Sequence, residues 1–156
     1  MTITAADLMT SPAVTVLPEA DLSQVASLLV SKHISAVPVC YPDGSLAGII
    51  SGADVIRPFR DSARRKRERL LGLFVQTEEL PDDLLDFLRQ DNRSAADFME
   101  RHVITAGKEA TLGELAELMT AHGIKRVPIV DGKMVIGIVS RSDVLAALTK
   151  SPANMM

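Results

Sequence analysis

Apolar positions along the chain fall into two helical stripes, each followed by two short apolar runs. The stripes have the i, i+3, i+4, i+7 spacing of amphipathic helices. They consist of Leu22, Val25, Ala26 and Leu29, and of Leu112, Leu115, Ala116 and Met119. The apolar runs lie at 36–40 and 46–50, and again at 127–130 and 134–139, with an Asp-Gly pair between the two runs of each set. This pattern predicts a β-hairpin after each helix.

The hydrophobic pattern belongs to an internal repeat with a spacing of about 90 residues. Segment 4–9 returns as 94–99, segment 34–39 as 124–129, and segment 48–55 as 137–144. Such a repeat indicates two copies of one supersecondary unit, each too small to bury its own apolar face. We therefore divide the chain into a first motif at 1–56, an unrepeated segment at 57–93, a second motif at 94–150 and a tail at 151–156.

Both copies are predicted to contain the same elements in the same order. A short helix comes first, then a β-branched strand at 14–16 or 103–105, a second helix, the hairpin and a last helix. The predicted helix starts carry N-capping residues with Asp, Glu or Gln three positions later. These capping residues are Thr4, Asp21, Ser51, Ser94, Thr111 and Ser140. Pro38 and Pro128 place the first hairpin strand at a sheet edge, or free its backbone for another partner. The predicted fold class is α+β.

Composition sets the class of protein. The 156 residues suffice for one compact body, or for two half-domains that share a core. The hydrophobic content of 47% with 3% aromatic residues predicts a core of aliphatic side chains and Met. A net charge of −3 gives no overall attraction to nucleic acid or anionic membranes. Cys40 is the single cysteine, and no spacing of ligand residues suggests a metal site. Because no signal peptide or transmembrane-length apolar run is present, we expect a soluble, cytoplasmic protein.

The unrepeated segment 57–93 carries opposite charges in its two halves. We predict an extended helix followed by a short one, or a helical hairpin, that governs the choice of partner. The basic run favours a solvated or ion-paired helix over nucleic-acid binding, because no aromatic residue interrupts it to stack on bases. The basic residues are Arg57, Arg60, Arg64, Arg65, Lys66, Arg67 and Arg69, and the acidic ones are Glu78, Glu79, Asp82, Asp83, Asp86 and Asp91.

The two copies together resemble a tandem pair of cystathionine-β-synthase (CBS) domains, also called a Bateman module. The resemblance rests on Ile-Ser-Ala-Val-Pro-Val at 34–39, on Gly-Ile-Ile-Ser-Gly-Ala-Asp-Val at 48–55, and on their counterparts in the second copy. Stand-alone bacterial members carry similar helical insertions. The resemblance implies two β-α-β-β-α motifs related by a pseudo-twofold axis. It also implies clefts between them that hold adenosine-containing ligands, a disc-shaped dimer, and regulation instead of catalysis, so that no residue is assigned a catalytic role.

The resemblance also assigns candidate ligand residues. In the family, the Asp of Ser-x-x-Asp contacts the ribose hydroxyls and the Ser lies near phosphate. The chemistry fits, because a carboxylate accepts two hydrogen bonds from a cis-diol and the amides of a helix start attract an anion. The residues are Asp54 and Asp143 for ribose; Ser51, Lys125, Arg126, Ser140 and Arg141 for phosphate; and Thr15, Ala36, Val37, Pro38, Ile104, Thr105, Val127 and Pro128 for the adenine pocket.

The Ser-x-x-Asp segments also have a purely structural interpretation. They are N-capping arrangements that need no ligand, and 4–7 and 94–97 show the same spacing. The preceding Gly-Ile-Ile or Gly-Ile-Val, which returns in both copies, favours a ligand role. The apolar residues of the adenine pocket are expected to belong to the core as well.

The copies differ in charge, which separates their predicted roles. Lys125 and Arg126 stand where the first copy has Ser35 and Ala36, so the second copy is the better phosphate site. The first copy then holds a neutral nucleoside end or stays empty. We expect a non-enzymatic homodimer that senses AMP, ADP or ATP as a regulatory ligand, without an obligatory cofactor, and signals to an unidentified effector protein. A ligand-free scaffold and nucleic-acid binding through the basic helix are the alternatives.

Overall fold

The structure is a computed structural model that describes residues 2–57 and 93–150. The elements are α1 (Ala5–Leu8), α2 (Leu22–Ser31), β1 (Ala36–Cys40), β2 (Leu46–Ser51), α3 (described over 52–57), α4 (Ala95–Phe98), α5 (Leu112–His122), β3 (Arg126–Asp131), β4 (Met134–Ser140) and α6 (Arg141–Lys150). Strands β1 and β2 form one two-stranded sheet, and β3 and β4 form another. The α+β class is confirmed. The predicted helices of the insertion, apart from Arg57 and Arg93, lie outside the described residues.

The described chain divides into two compact units whose members are not contiguous in sequence. Unit 1 contains residues 2–15, 40–46 and 101–150, and unit 2 contains 16–39, 47–57 and 93–100. The sequence repeat predicted one short helix at the start of each motif. In the structure, α1 of the first copy lies in unit 1 with α5 of the second copy, and α4 of the second copy lies in unit 2 with α2 of the first. The motif boundaries drawn from the sequence therefore describe the repeat, not the packing.

Helix α1 packs in unit 1 through both backbone and side chain. The amide of Ala5 donates to the carbonyl of Ala110 at 2.7 Å, and the amide of Leu112 donates to the carbonyl of Ile3 at 3.0 Å. Ala5 is completely buried among α5, β3, β4 and α6. The chain after α1 then lies along β4, with the Thr10 amide donating to Ile138 at 2.9 Å. Residues 3–10 thus complete the core built by the second motif.

Helix α4 repeats this arrangement in unit 2. The amide of Ala95 donates to the carbonyl of Ala20 at 2.8 Å, and Ala95 is completely buried. The amide of Glu100 donates to the carbonyl of Ile49 at 2.8 Å, and the Ile49 amide donates back at 3.0 Å. Both short helices begin with the predicted capping box, Thr4 with Asp7 and Ser94 with Asp97. The local predictions for these helices are confirmed.

The predicted strands at 14–16 and 103–105 are wrong as strands, because the first is reduced to one parallel bridge and the second has one such bridge only at the residue that follows it. Val16 pairs with Val39, and Ala106 pairs with Ile129. The Ala106 amide donates to the Pro128 carbonyl at 3.1 Å, and the Val130 amide donates to Ala106 at 2.9 Å. The next rung of a parallel ladder would need an N–H at residue 128, which proline lacks. Pro38 stops the first copy in the same way.

Both hairpins turn at the predicted Asp-Gly pairs. Gly132 has a φ of +62° between β3 and β4, and Gly44 has a φ of +91° between β1 and β2, a region that glycine enters without strain. Strands β3 and β4 pair antiparallel from Arg126 opposite Ser140 to Asp131 opposite Met134. The end of the hairpin that carries Arg126 and Ser140 is therefore fixed relative to the start of α6.

The predicted helical stripes face the cores. Leu22, Val25 and Leu29 are buried in unit 2, and Leu112, Leu115 and Met119 are buried in unit 1. Asp21 caps α2 with Gln24 in a complete capping box, and Thr111 caps α5 by accepting from the Glu114 amide at 3.1 Å. Among the described helices, none combines the length and apolar character needed to cross a membrane.

Candidate functional site

The phosphate-binding candidates of unit 1 meet where β4 passes into α6. Arg126 and Ser140 face each other at the end of the β3–β4 ladder. One residue further, the amide of Arg141 donates to the carbonyl of Lys125 at 2.8 Å. The ladder thus brings Lys125, Arg126, Ser140 and Arg141 to one end of a hairpin. The first turn of α6 adds Asp143.

Asp143 closes a capping box with Ser140. Its Oδ2 atom accepts from the Ser140 amide at 2.8 Å, and the Asp143 amide donates to the Ser140 hydroxyl at 3.2 Å. Within the part of the chain that the structure describes, Oδ1 of Asp143 accepts no hydrogen bond. The carboxylate is therefore held in position by one oxygen while the other stays open to a hydroxyl donor.

Unit 2 has the same backbone arrangement with different side chains. The amide of Gly52 donates to the carbonyl of Ser35 at 3.0 Å, matching the Arg141–Lys125 bond of unit 1. Asp54 Oδ2 accepts from the Ser51 amide at 2.9 Å and from the Ser51 hydroxyl at 3.0 Å. The other oxygen, Oδ1, forms an ion pair with Arg57. Both carboxylate oxygens of Asp54 are therefore occupied.

Arg57 was treated by the sequence analysis only as part of the basic insertion. Its spacing from Asp54 carried a usable signal, because residues i and i+3 on a helix are neighbours and opposite charges there attract. The corresponding position in α6 is Ala146, which offers no such partner. The pairing is exposed to solvent on the arginine side, where the side chain is 56% accessible. It therefore holds Asp54 only weakly.

The capping box does not by itself distinguish a ligand site. The boxes at Thr4–Asp7 and Ser94–Asp97 share the amide-to-carboxylate bond, at distances of 2.9 Å and 2.8 Å. These boxes begin α1 and α4, for which the sequence proposed no ligand. The structural interpretation of Ser-x-x-Asp is thus confirmed for the N-caps. A ligand role must rest on what surrounds the box.

The predicted adenine-pocket residues divide by accessibility. Val37 and Val127 are completely buried. Pro38 and Pro128 are less than 2% exposed, and Ala36 is 5% exposed. Their side chains belong to the cores, as the sequence analysis also expected. Ile104 and Thr105 are partly accessible, and Thr15 is exposed. A role of these residues in binding a base stays a prediction, and the accessible ones carry it best.

Positive charge is concentrated at the end of the β3–β4 hairpin where Lys125, Arg126 and Arg141 lie beside the Ser140–Asp143 capping box. We call this place the unit 1 position, and its counterpart at Ser35, Ser51 and Asp54 the unit 2 position. The Arg126 side chain is half-buried, and its burial lowers the pKa of the guanidinium; the nearby positive charge of Arg141 lowers it further. Arg126 remains ionised at neutral pH, since an arginine titrates far above this range. Two nearby cations, one half-buried and one exposed, favour the approach of an anion.

A family model describing the CBS domain matches residues 5–61 and 95–150. The chain belongs to the CBS domain family. An uncharacterized protein of Methanocaldococcus jannaschii is 35% identical over 153 residues, covering 91% of this chain and 89% of that protein. The tandem recognition drawn from the repeat is confirmed, with one match for each copy.

Solved CBS-pair structures share the fold. The structure of CBSX2 in complex with AMP has a TM-score of 0.71 and 20% identity, covering 95% of this chain and 97% of that one. The CBS domain pair of protein MJ0100, in complex with 5′-methylthioadenosine and S-adenosyl-L-methionine, has a TM-score of 0.70 and 22% identity, covering 96% and 98%. At these identities the likeness establishes the fold.

Proposed function

We propose that this protein is a non-enzymatic regulatory module that binds AMP, ADP or ATP and transmits the binding to a partner protein. The observation that carries the proposal is the unit 1 position, where the open Oδ1 of Asp143 lies in the same hairpin end as Arg126 and Arg141. The ligands of the two fold neighbours support the adenosine class, since one binds AMP and the other binds 5′-methylthioadenosine and S-adenosyl-L-methionine.

The residues of unit 1 divide the ligand among them. The Asp143 carboxylate accepts hydrogen bonds from the ribose hydroxyls through Oδ1. The guanidinium groups and the Ser140 hydroxyl receive the phosphates, because arginine binds phosphate through parallel charge-assisted hydrogen bonds. Thr105 and Ile104 offer a polar and an apolar contact to the base at the accessible edge of β3.

Signalling requires a protein with two states that bind the ligand differently. A ligand shifts such an equilibrium only by its difference in affinity for the two states. We expect the readout to be a change in affinity for an effector protein in the cytoplasm. A ligand-free scaffold is the second candidate, and it is favoured by the four capping boxes, whose amide-to-carboxylate bonds form without any ligand.

We expect AMP, ADP or ATP to raise the melting temperature of the protein, because a ligand that binds only the folded state stabilises it by mass action. Asp143→Ala should reduce this shift more than Asp54→Ala, since Arg57 already occupies Asp54. Differential scanning fluorimetry with millimolar AMP, ADP, ATP, NAD(H) and S-adenosylmethionine measures the shifts for each variant.

Asp97→Ala is the matched control for this experiment. It removes a capping box of the same geometry and should lower the melting temperature of the free protein by a similar amount. Its ligand-induced shift should stay at the wild-type value. The absence of a shift with every adenosine compound would instead favour the scaffold, and equal losses for Asp143→Ala and Asp54→Ala would contradict the assignment to unit 1.

We also expect a homodimer, because the helices at 22–32, 53–60, 112–122 and 142–149 keep apolar residues on their outer faces. Val30, Ile56 and Leu145 are 65%, 50% and 55% exposed on α2, α3 and α6. Burying such side chains favours association. Light scattering at micromolar concentration should report a dimer, and Leu145→Lys should weaken it while Leu17→Lys, in a loop, should not. A wild-type monomer would contradict the prediction.

A further inference from the structure

The carboxylates of Asp54 and Asp143 are held alike at one oxygen and differently at the other. In each case Oδ2 accepts from the amide of the serine that precedes the helix, at 2.9 Å in unit 2 and at 2.8 Å in unit 1. Oδ1 of Asp54 pairs with Arg57, whereas Oδ1 of Asp143 accepts no hydrogen bond from the described residues. The second oxygen is therefore where the two carboxylates differ.

The pair between Arg57 and Asp54 covers the carboxylate from the solvent side. Helix α3 extends to residue 57, and residues three apart on a helix are neighbours. The Arg57 side chain is 56% accessible, while that of Asp54 is only 15% accessible. The guanidinium therefore reaches the carboxylate from outside. It can leave again without any rearrangement of the core, because more than half of the arginine side chain already lies in water.

A sugar hydroxyl and Arg57 compete for the same oxygen of Asp54. Each carboxylate oxygen can accept two hydrogen bonds, but little of this side chain is accessible while the arginine covers it. A hydroxyl that approaches Oδ1 must therefore displace the guanidinium. An ion pair with so exposed an arginine is weak, and breaking it changes an equilibrium constant by about three-fold. The competition is thus strong enough to lower the affinity for a nucleoside and weak enough to be reversed.

We propose that Arg57 is an autoinhibitory residue of the unit 2 position: it occupies Oδ1 of Asp54 and must be displaced before the ribose of a nucleoside can bind there. Whatever draws Arg57 away from Asp54 opens this position. The unit 1 position has no such block, because Ala146 stands where Arg57 stands in the first copy. The inference rests on the proposed function, since it assumes that these carboxylates accept hydrogen bonds from a nucleoside.

An NMR titration of the full chain with adenosine tests the proposal at each position separately. The amides of Gly52 and Arg141 donate to the carbonyls of Ser35 and Lys125, at 3.0 Å and 2.8 Å, and are equivalent reporters of the two positions. Arg57→Gln should raise the adenosine affinity measured at residue 52 by about three-fold and leave that measured at residue 141 unchanged. Arg57→Lys is the matched control. It keeps a cation three residues after the aspartate and should stay near the wild-type affinity.

Ionic strength separates competition by Arg57 from a structural effect of its substitution. Salt screens an ion pair with an exposed member, whereas adenosine carries no charge. In the wild-type protein, the adenosine affinity measured at Gly52 should rise about two-fold between about 0.05 M and about 0.5 M NaCl. Arg57→Gln should have the higher affinity at both concentrations. The same salt dependence in both proteins would mean that Arg57 acts through the stability of α3, which would overturn the proposal.

Unit 1 allows the block to be built where it is missing. Ala146 is exposed on α6, three residues after Asp143. Ala146→Arg should therefore pair with Oδ1 of Asp143 and lower the adenosine affinity measured at Arg141 by about three-fold. Ala146→Gln, which adds a long side chain without the charge, should not.

The possible results distinguish this inference from the proposed function. A weaker or unchanged adenosine affinity in Arg57→Gln would overturn the autoinhibition alone, since a weaker affinity would make Arg57 a ligand contact. Equal effects of Ala146→Arg and Ala146→Gln would also overturn it, because the charge would then have no role. If adenosine shifts neither reporter amide in any variant, the recognition of a nucleoside by these carboxylates is wrong, and the proposed function fails together with the inference.

Discussion

Replacing Ala5 by Glu should destabilise the whole of unit 1, although residue 5 belongs to the first copy of the repeat. Ala5 is completely buried against residues of the second motif, and its amide is bonded to Ala110 at 2.7 Å. A glutamate there must be buried in an apolar core or force α1 out of it. We expect the free energy of unfolding to fall by about 3 kcal/mol.

Ala6→Glu is the control, because Ala6 is the exposed neighbour on the same helix turn. It introduces the same side chain and should change the stability by less than about 0.5 kcal/mol. Hydrogen exchange measured by mass spectrometry should show faster exchange across β3 and β4 only in Ala5→Glu. If exchange rises in residues 4–10 alone, α1 is a peripheral segment and the second motif is stable without it.

The packing of α1 and α4 against the other copy's elements could be predicted from the sequence only in part. The caps at Thr4 and Ser94 and the helices they begin follow from local chemistry, and the structure confirms them. A repeat shows that the same local structure forms twice, but it carries no information on which copies pack together. Ala5 and Ala95 have the same sequence context, and only the residues that bury them show that each packs against the other copy.

The predictions of short strands at 14–16 and 103–105 were wrong for a reason that is visible in the sequence. β-branched residues favour extended backbone, yet Pro38 and Pro128 stand where the neighbouring strand must donate a hydrogen bond. A proline in the hairpin strand predicts a sheet edge or a second partner for that strand. It also limits the ladder with that partner to one bridge.

The asymmetry between the two candidate sites could be predicted from the sequence only in part. Charge in the second copy was visible from Lys125 and Arg126. The pairing of Asp54 with Arg57, which makes the first copy different again, required α3 to continue as a helix through residue 57. The glycine that precedes each Ser-x-x-Asp, which favours a ligand role in the sequence, also has a packing reason: Gly137 lies against Met9, and Gly48 against Met99.

Gly48→Ala and Gly137→Ala should both destabilise the protein, with the larger loss at Gly48. A Cβ at Gly137 would lie 2.5 Å from the Met9 sulfur and 3.0 Å from the Thr10 carbonyl oxygen. A Cβ at Gly48 would lie 2.6 Å from the Met99 sulfur and 2.7 Å from the Glu100 carbonyl oxygen. A methionine side chain can move, but the backbone oxygen is fixed by its bond to the Ile49 amide. Overpacking of this kind destabilises by about 1–3 kcal/mol.

Chemical denaturation measures the free energy of unfolding of four alanine variants. The two control variants should show no loss or a small gain. Gly52→Ala and Gly107→Ala meet no atom within 4 Å and require no positive φ, so they should be neutral or stabilise by about 0.5 kcal/mol through the unfolded chain.

A double-mutant cycle then separates the two contacts. Met9→Ala should recover about 1 kcal/mol of the loss in Gly137→Ala, since the sulfur is its main obstacle. Met99→Ala should recover less in Gly48→Ala, because the Glu100 oxygen at 2.7 Å remains. Equal recovery would mean that the backbone yields at Gly48 and that the methionine is the main obstacle there as well.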